Sequence, residues 1–203
     1  MRIAVPFYSQ HWDLDAWQAM GYKNREEAQY WERSCCGILC IKMVMDAFLR
    51  QHDKPLTPTI KEIIDIGVNQ GAYEDISGWS HHGLAALVKS FGFRGEAIPM
   101  TTQDLKNYLN NNSLAIVSIK WGFDTANKSL KEMILFWKKY GGHLAVVTGF
   151  EEENGGITGF YVHHTSKIKE QNWQDRFIEI EKFKKGYTGR GILIQPYRST
   201  TRI

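Results

Sequence analysis

The stretch SCCGILCIKMVMDAF, Ser34–Phe48, decides how the rest of the chain is read, because all three cysteines of the protein fall within it. From Cys36 onward Ile38, Ile41, Met45, Phe48 and Leu49 recur at helical spacing, which predicts an amphipathic helix running to about Gln51. Four roles compete for Cys35, Cys36 and Cys40: a metal clamp, a disulfide with one thiol left over, buried packing, or a nucleophile with two bystanders. The spacing Cys-Cys-x-x-x-Cys lacks the two-residue knuckle of structural zinc sites, and no second cysteine pair exists to complete one. The adjacent pairs His81–His82 and His163–His164 cannot both turn toward one ion, so no metal is expected. A Cys36–Cys40 disulfide would span a single helical turn and strain the helix start. Packing suits Cys40, which shares the apolar positions of the helix. Cys36 is different. It stands immediately before Gly37 in the first turn, where the helix dipole and unpaired N–H groups are expected to lower a thiol pKa and favour a nucleophile.

A nucleophilic thiol needs a base from elsewhere in the chain. GGHLAVVTGF, Gly141–Phe150, puts His143 after two glycines at the mouth of a β-type run, where a histidine can face a cleft. Other features have plainer readings. Trp12, Trp31, Trp79, Trp121, Trp137 and Trp173 read as core and rim packing. His81 and His82 sit at a predicted helix start. GYTGRG, Gly186–Gly191, lacks the preceding strand and following helix of a phosphate cradle.

Composition sets the bounds. The chain has 203 residues, 43% hydrophobic and 23% charged, with a formal charge of +3. That suits one domain over 1–203 with a sizeable core. The basic residues are dispersed; Lys182–Gly191 is the densest patch and reads as a solvated edge rather than a nucleic-acid site. The N-terminus reaches charge by Asp13 and carries no signal-peptide core, and no run approaches the ~20 apolar residues that span a bilayer. No membrane or nucleic-acid partner is expected, and the chain reads as cytoplasmic.

Organisation changes at mid-chain. Arg2–Gln10 reads as a short strand ending near Pro6 and an extended segment, and His11–Arg33 as mostly loop with one helical turn. Helices follow in LTPTIKEIIDIGVNQG (capped by Thr57, with Ile60, Ile63, Ile64 and Val68 buried), in WSHHGLAALVKSFG closed by Gly92, and in TTQDLKNYLNNN with Thr101 and Asp104 at capping spacing. The second half is β-rich: Ser113–Trp121, His143–Phe150, a turn at EEENGG, Ile157–Thr165, and edge elements in FIEIEKF and GILIQPY, with one helix in SLKEMILFWKKYGG. This is α+β, a helical N-terminal half packed against an antiparallel sheet half. Period-2 alternation puts Phe160, Val162 and His164 on one face of their strand, and the hairpin should return His164 to the neighbourhood of His143.

The segments VPFYSQ, WERSCCGILCIKMVMDAF, GGHLAVVTGF and GFYVHHTS resemble, in order, the signature segments of papain-like cysteine peptidases. Above all they are similar to the bacterial peptidase domains that process double-glycine leaders of bacteriocins, the C39-like family, and to their stand-alone homologues. The resemblance covers about Val5–Ile194 and implies a papain-like fold, amide hydrolysis on a peptide or protein substrate, and no cofactor. It implies Cys36 as nucleophile, His143 as general base and acid, and the Gln10 side-chain amide as an oxyanion donor. The family's third member is an aspartate or asparagine in a hydrophobic–Asn–Asp–Pro-like pattern. Here the matching stretch is VHHTS, so His164 falls at that position and Thr165 replaces the proline. His164 is therefore expected to stay neutral and accept a hydrogen bond from His143, without bringing negative charge. The alternatives are a relative that binds peptide without cleaving it, and a papain-like acyltransferase or deamidase.

Overall fold

The computed structural model describes residues 1–120, 123 and 143–196. Its centre is the expected helix. α1 (Arg25–Ser34) runs directly into α2 (Cys36–Arg50) with Cys35 as the joint, and every residue of α2 from Gly37 to Phe48 is buried. A helix buried on all faces cannot leave charge to water. Lys42 and Asp46, one turn apart, therefore neutralise each other at 3.0 Å. Lys42 Nζ also donates to the Thr57 carbonyl, the Thr57 hydroxyl and the Pro58 carbonyl at 2.8–3.2 Å. Asp46 accepts from the Thr57 N–H (2.8 Å), the Thr57 hydroxyl (2.7 Å) and the Tyr8 hydroxyl (2.8 Å). Burial pushes the Asp46 carboxyl up, but these donors outweigh it and hold the pKa below the usual carboxylate value.

Four further helices and a large sheet surround α2. α3 (Ile60–Asn69), α4 (His81–Ser90), α5 (Thr102–Asn110) and α6 (Ile180–Gly186) alternate with β1 (Tyr73–Glu74), β2 (Gly78–Trp79), β3 (Arg94–Pro99), β4 (Leu114–Ile119), β5 (His143–Glu153), β6 (Gly156–His164), β7 (Trp173–Glu179) and β8 (Tyr187–Gln195). β1 and β2 form a small hairpin, and the other strands form one antiparallel sheet in the order β3-β8-β4-β5-β6-β7. α2 packs on β4 and β5, and α4 on β3 and β8. β4, buried at every position, is an apolar run because it lies inside the sheet beneath this cover. No helix among the described residues is long and apolar enough to cross a membrane.

The expected α+β division holds, with corrections in detail. His11–Arg33, read mostly as loop, contains a 3₁₀ turn at Leu14–Ala16 and all of α1 but its last residue, and Asn24 caps that helix through the Glu27 N–H. α3 starts two residues later than expected, on a Thr59–Glu62 capping box, and Val68 is exposed rather than buried. FIEIEKF divides between strand β7 and helix α6. β3 was not expected at all. The Thr101–Asp104 capping box stands as predicted, and so does the EEENGG turn, with Asn154 (φ 51°) and Gly155 (φ 80°) in the left-handed region that a tight hairpin needs. The helix read in Ser129–Gly142, with Trp137, and the adjoining Trp121 lie outside the described residues.

The N-terminal segment is not a strand of the sheet; only Arg2 bridges Gly149. Backbone bonds flank that bridge, Ile3 N–H to the Thr148 carbonyl at 2.8 Å and Phe150 N–H to the Met1 carbonyl at 2.9 Å, and side chains hold the segment beyond it. His163, fully buried, donates from Nε2 to the Val5 carbonyl (2.9 Å) and accepts the Asp175 N–H at Nδ1 (2.9 Å). The Thr165 hydroxyl donates to the Tyr8 carbonyl at 3.1 Å. These contacts lay residues 5–8 along the end of β6, and Gln10 follows two residues later.

Two expectations about stability result. Asp46→Ala strands the Lys42 ammonium in the core and should cost about 3–5 kcal/mol in urea unfolding, and a loss under about 1 kcal/mol would remove the buried pair as a support. His163 must stay neutral to keep both its bonds, and burial holds its pKa below 6.5. The unfolded chain takes up the proton first as pH falls, so stability should drop from about pH 6.5 downward toward the depressed native value. His163→Gln should flatten that part of a stability–pH curve.

Candidate functional site

Cys36 occupies the first helical position of α2, and no side chain caps the helix there. The first-turn N–H groups are thus uncapped, and the backbone N–H groups of Leu144 in β5, of Gly37 and of Cys36 itself act to lower the thiol pKa. The approach of α2 to β5 depends on Gly37. A Cβ at that position would lie 2.8 Å from Leu84 Cδ1, 3.3 Å from Trp79 Cβ and 3.4 Å from Leu144 Cδ1, so a larger residue would push the helix start away from the strand. Trp79 also donates from Nε1 to the Ser34 carbonyl at 2.8 Å, fastening the α1–α2 joint. It does so from a cluster of rings with Trp31 and Tyr73, which bears out the packing role expected for Trp31 and Trp79.

The expected low thiol pKa is corrected. Burial drives the Cys36 pKa up to about 11, and the three N–H groups only partly oppose it. Helix-start electrostatics is worth at most a few kcal/mol, whereas taking a thiolate out of water costs more. Cys35 and Cys40 are wholly buried, with pKa values raised further by burial, which suits them to packing.

His143 is the first residue of β5, opposite Ile119 of β4, one residue before Leu144, whose N–H acts on the Cys36 thiol. Burial lowers its pKa below 6.5, so the ring is neutral at pH 7. Its Nε2 lies 2.7 Å from the Thr165 carbonyl oxygen. A carbonyl only accepts, so Nε2 carries the proton and Nδ1 is the basic nitrogen.

His164 is brought to His143, as the hairpin geometry predicts: it stands opposite Ala145 in the β5–β6 register. The relation between the rings differs from the expected imidazole–imidazole hydrogen bond. The ring centroids are 4.7 Å apart, tilted by 54°, and His164 Nδ1 bonds the Gln171 carbonyl at 2.6 Å. On its other flank His164 meets Trp173 at 5.0 Å, beneath the Arg176 guanidinium. His143 Nε2 is committed to the Thr165 main chain instead.

Gln10 is fastened to α1, a contact not expected from the sequence. It is only 3% exposed, and Nε2 donates one hydrogen to the Glu32 carbonyl (2.6 Å), near the end of α1. Its second Nε2 hydrogen is not used there, and Oε1 is buried without a hydrogen-bond partner. Reading residue types missed two contributors that act through the main chain, the Thr165 carbonyl and the Leu144 N–H. No sequence signal marks a backbone atom. Among the described residues no three His, Cys, Asp or Glu side chains converge as a metal site would require.

No protein-family model matches the chain, and no curated protein matches it in sequence. Solved structures do match in fold. A double-glycine-motif protease from an AMS/PCAT transporter, crystallised with its leader peptide, is 16% identical, with a TM-score of 0.54 over 96% of this chain and 94% of that one. A candidate C39-like peptidase from Bacillus anthracis is 14% identical, with a TM-score of 0.52 over 80% of this chain and 88% of that one. The chain has the α+β, papain-like fold of these double-glycine, or C39, peptidase domains.

Proposed function

We propose that this chain is a thiol hydrolase that cleaves a peptide-like substrate, with Cys36 as nucleophile and His143 as base. The observation that carries the reading is the orientation of His143: a main-chain carbonyl holds Nε2–H, which leaves Nδ1 basic on the residue next to Leu144, whose N–H acts on the Cys36 thiol. As the sulfur attacks the substrate carbonyl carbon, Nδ1 takes the thiol proton and a C–S bond forms. The carbonyl oxygen becomes an oxyanion, which accepts from the Cys36 N–H and the second Nε2 hydrogen of Gln10. Collapse expels the amine, which takes the proton back from Nδ1, and a water activated by the same nitrogen releases the acyl group as a carboxylic acid. The Thr165 carbonyl and the π-face of His164 support the transient imidazolium without a formal counter-charge.

A second reading, a peptide-binding relative that does not cleave, is favoured by the raised thiol pKa. Turnover separates the two. With a fluorogenic peptide amide ending in Gly-Gly as probe, the wild type should cleave. Cys36→Ala should be inactive, His143→Ala should lose ~10²–10⁴-fold, and Gln10→Ala ~10²–10³-fold in kcat. Saturable binding of the probe with no cleavage in any variant would establish the binding-only reading instead.

The pH profile is a separate check. The productive form pairs a neutral thiol with a neutral imidazole. Rate should therefore fall on the acid side below pH 6.5, as His143 takes up a proton at its lowered pKa, and hold on the alkaline side until about pH 11, where Cys36 ionises. An alkaline limb near pH 8.5, the range of an unburied thiol, would contradict the burial argument.

A further inference from the structure

The loop from His164 to Trp173 carries a side chain that the mechanism does not yet use. Asn172 Oδ1 accepts from four groups: the Ser9 hydroxyl at 3.1 Å, the Gln10 N–H at 3.4 Å, the Ser166 N–H at 3.0 Å and the Thr165 hydroxyl at 3.4 Å. Its Nδ2 donates to the Ser166 carbonyl at 2.5 Å and the Ile168 carbonyl at 3.0 Å. All donors meet the oxygen and all carbonyls meet the nitrogen, so the amide has one possible orientation and only an amide satisfies both sides.

Those partners belong to the two halves of the proposed machinery. Ser9 and Gln10 are the segment that carries the oxyanion donor, and Thr165 and Ser166 flank the carbonyl that orients His143. We infer that Asn172 is a positioning residue, one side chain that locks the Gln10 amide and the Thr165 carbonyl in register with each other. It touches neither substrate nor the reacting atoms. The inference rests on the peptidase reading above and adds to it the device that joins base to oxyanion donor. Without the clamp the Thr165–Tyr8 bond still joins the two segments and Gln10 keeps its bond to Glu32, but residues 9–10 lose their direct tie to residues 165–166 and shift relative to them. A misplacement of about 1 Å between reacting groups can cost ~10²-fold in rate.

The chemistry of Asn172 distinguishes this role from packing. Asn172→Asp has the same size and keeps the acceptor, but its second oxygen faces the Ser166 and Ile168 carbonyls and is repelled. Packing would be preserved and the clamp would not.

The test uses the full chain and two readouts. One is the His143-dependent enhancement of Cys36 alkylation by iodoacetamide at pH 7, the ratio of the rate with His143 to the rate in the matching His143→Ala background. The other is kcat and KM on the Gly-Gly peptide amide. Asn172→Ala and Asn172→Asp should each lower the enhancement and kcat by about 10-fold or more with KM nearly unchanged. The loss from Asn172→Ala should also shrink in a Gln10→Ala background, because the two act as one unit. A purely structural residue would lower the melting temperature and leave the ratio and the coupling unchanged. If Asn172→Ala does not fold, Ser9→Ala, which removes one Asn172 contact and keeps the Thr165–Tyr8 bond, enters the same cycle with the same expectation. A wild type with His143 dependence whose variants keep kcat and enhancement within about twofold overturns the inference and leaves the peptidase reading intact. A wild type with no His143 dependence removes that reading, and the inference with it.

Discussion

The burial of α2 on every side is the constraint from which the rest of the structure follows. A helix with twelve successive residues out of water can carry Lys42 and Asp46 only if they neutralise each other and every remaining hydrogen bond is met. Meeting them recruits Thr57 and Pro58 on one flank and Tyr8 on the other. The Tyr8 contact has a consequence beyond stability, since Gln10 lies two residues further along the same segment. The core therefore fixes both the helix that holds Cys36 and the extended segment that carries Gln10, the two parts that the proposed chemistry requires.

That origin explains the electrostatics. Functional thiols are usually discussed as if the helix start alone decided their pKa, but the dipole and the free N–H groups act on a charge that must first leave water. At Cys36 the second cost wins, and the same burial holds His143 neutral. The resting site is then an uncharged pair. In the proposed reaction charge appears only during attack, when the backbone N–H groups that act on the thiol and the oxyanion donors have something to stabilise. Preorganised dipoles aimed at charge that forms in the transition state contribute to rate, whereas the same dipoles spent on a standing ion pair would contribute to ground-state binding.

How much of this was legible in the sequence depends on what kind of signal each part leaves. α2, the Asn154–Gly155 turn and the Thr101 cap were readable because periodicity and turn chemistry are local. The meeting of His143 and His164 was readable too, since an antiparallel hairpin of known length returns one end to the other. α1 was missed because its aromatic and charged residues mask a weak apolar stripe, although Asn24 and Glu27 stand at capping spacing. β3 was missed because RGEAIP has neither strong alternation nor β-branched density; pairing with β8 makes it a strand. The thiol pKa was misjudged because burial is a tertiary quantity. The Thr165 carbonyl was invisible because every residue has one.

The substitution of a carbonyl for the expected side chain at the third position changes what that position can do. A carboxylate gives a catalytic histidine both direction and charge, and its charge favours the imidazolium even at rest. A main-chain carbonyl gives direction alone. It fixes the same tautomer at 2.7 Å, cannot titrate, and does not pull the pair toward the ionised form. His164 packs as a ring against His143 and is itself held by the Gln171 carbonyl and Trp173. Because a carbonyl has no freedom apart from its chain, the accuracy of His143 is only as good as that of the loop carrying Thr165. A site oriented by backbone must therefore draw its precision from whatever pins the backbone, which moves the specification of the catalytic geometry out of the motif and into the loop between β6 and β7.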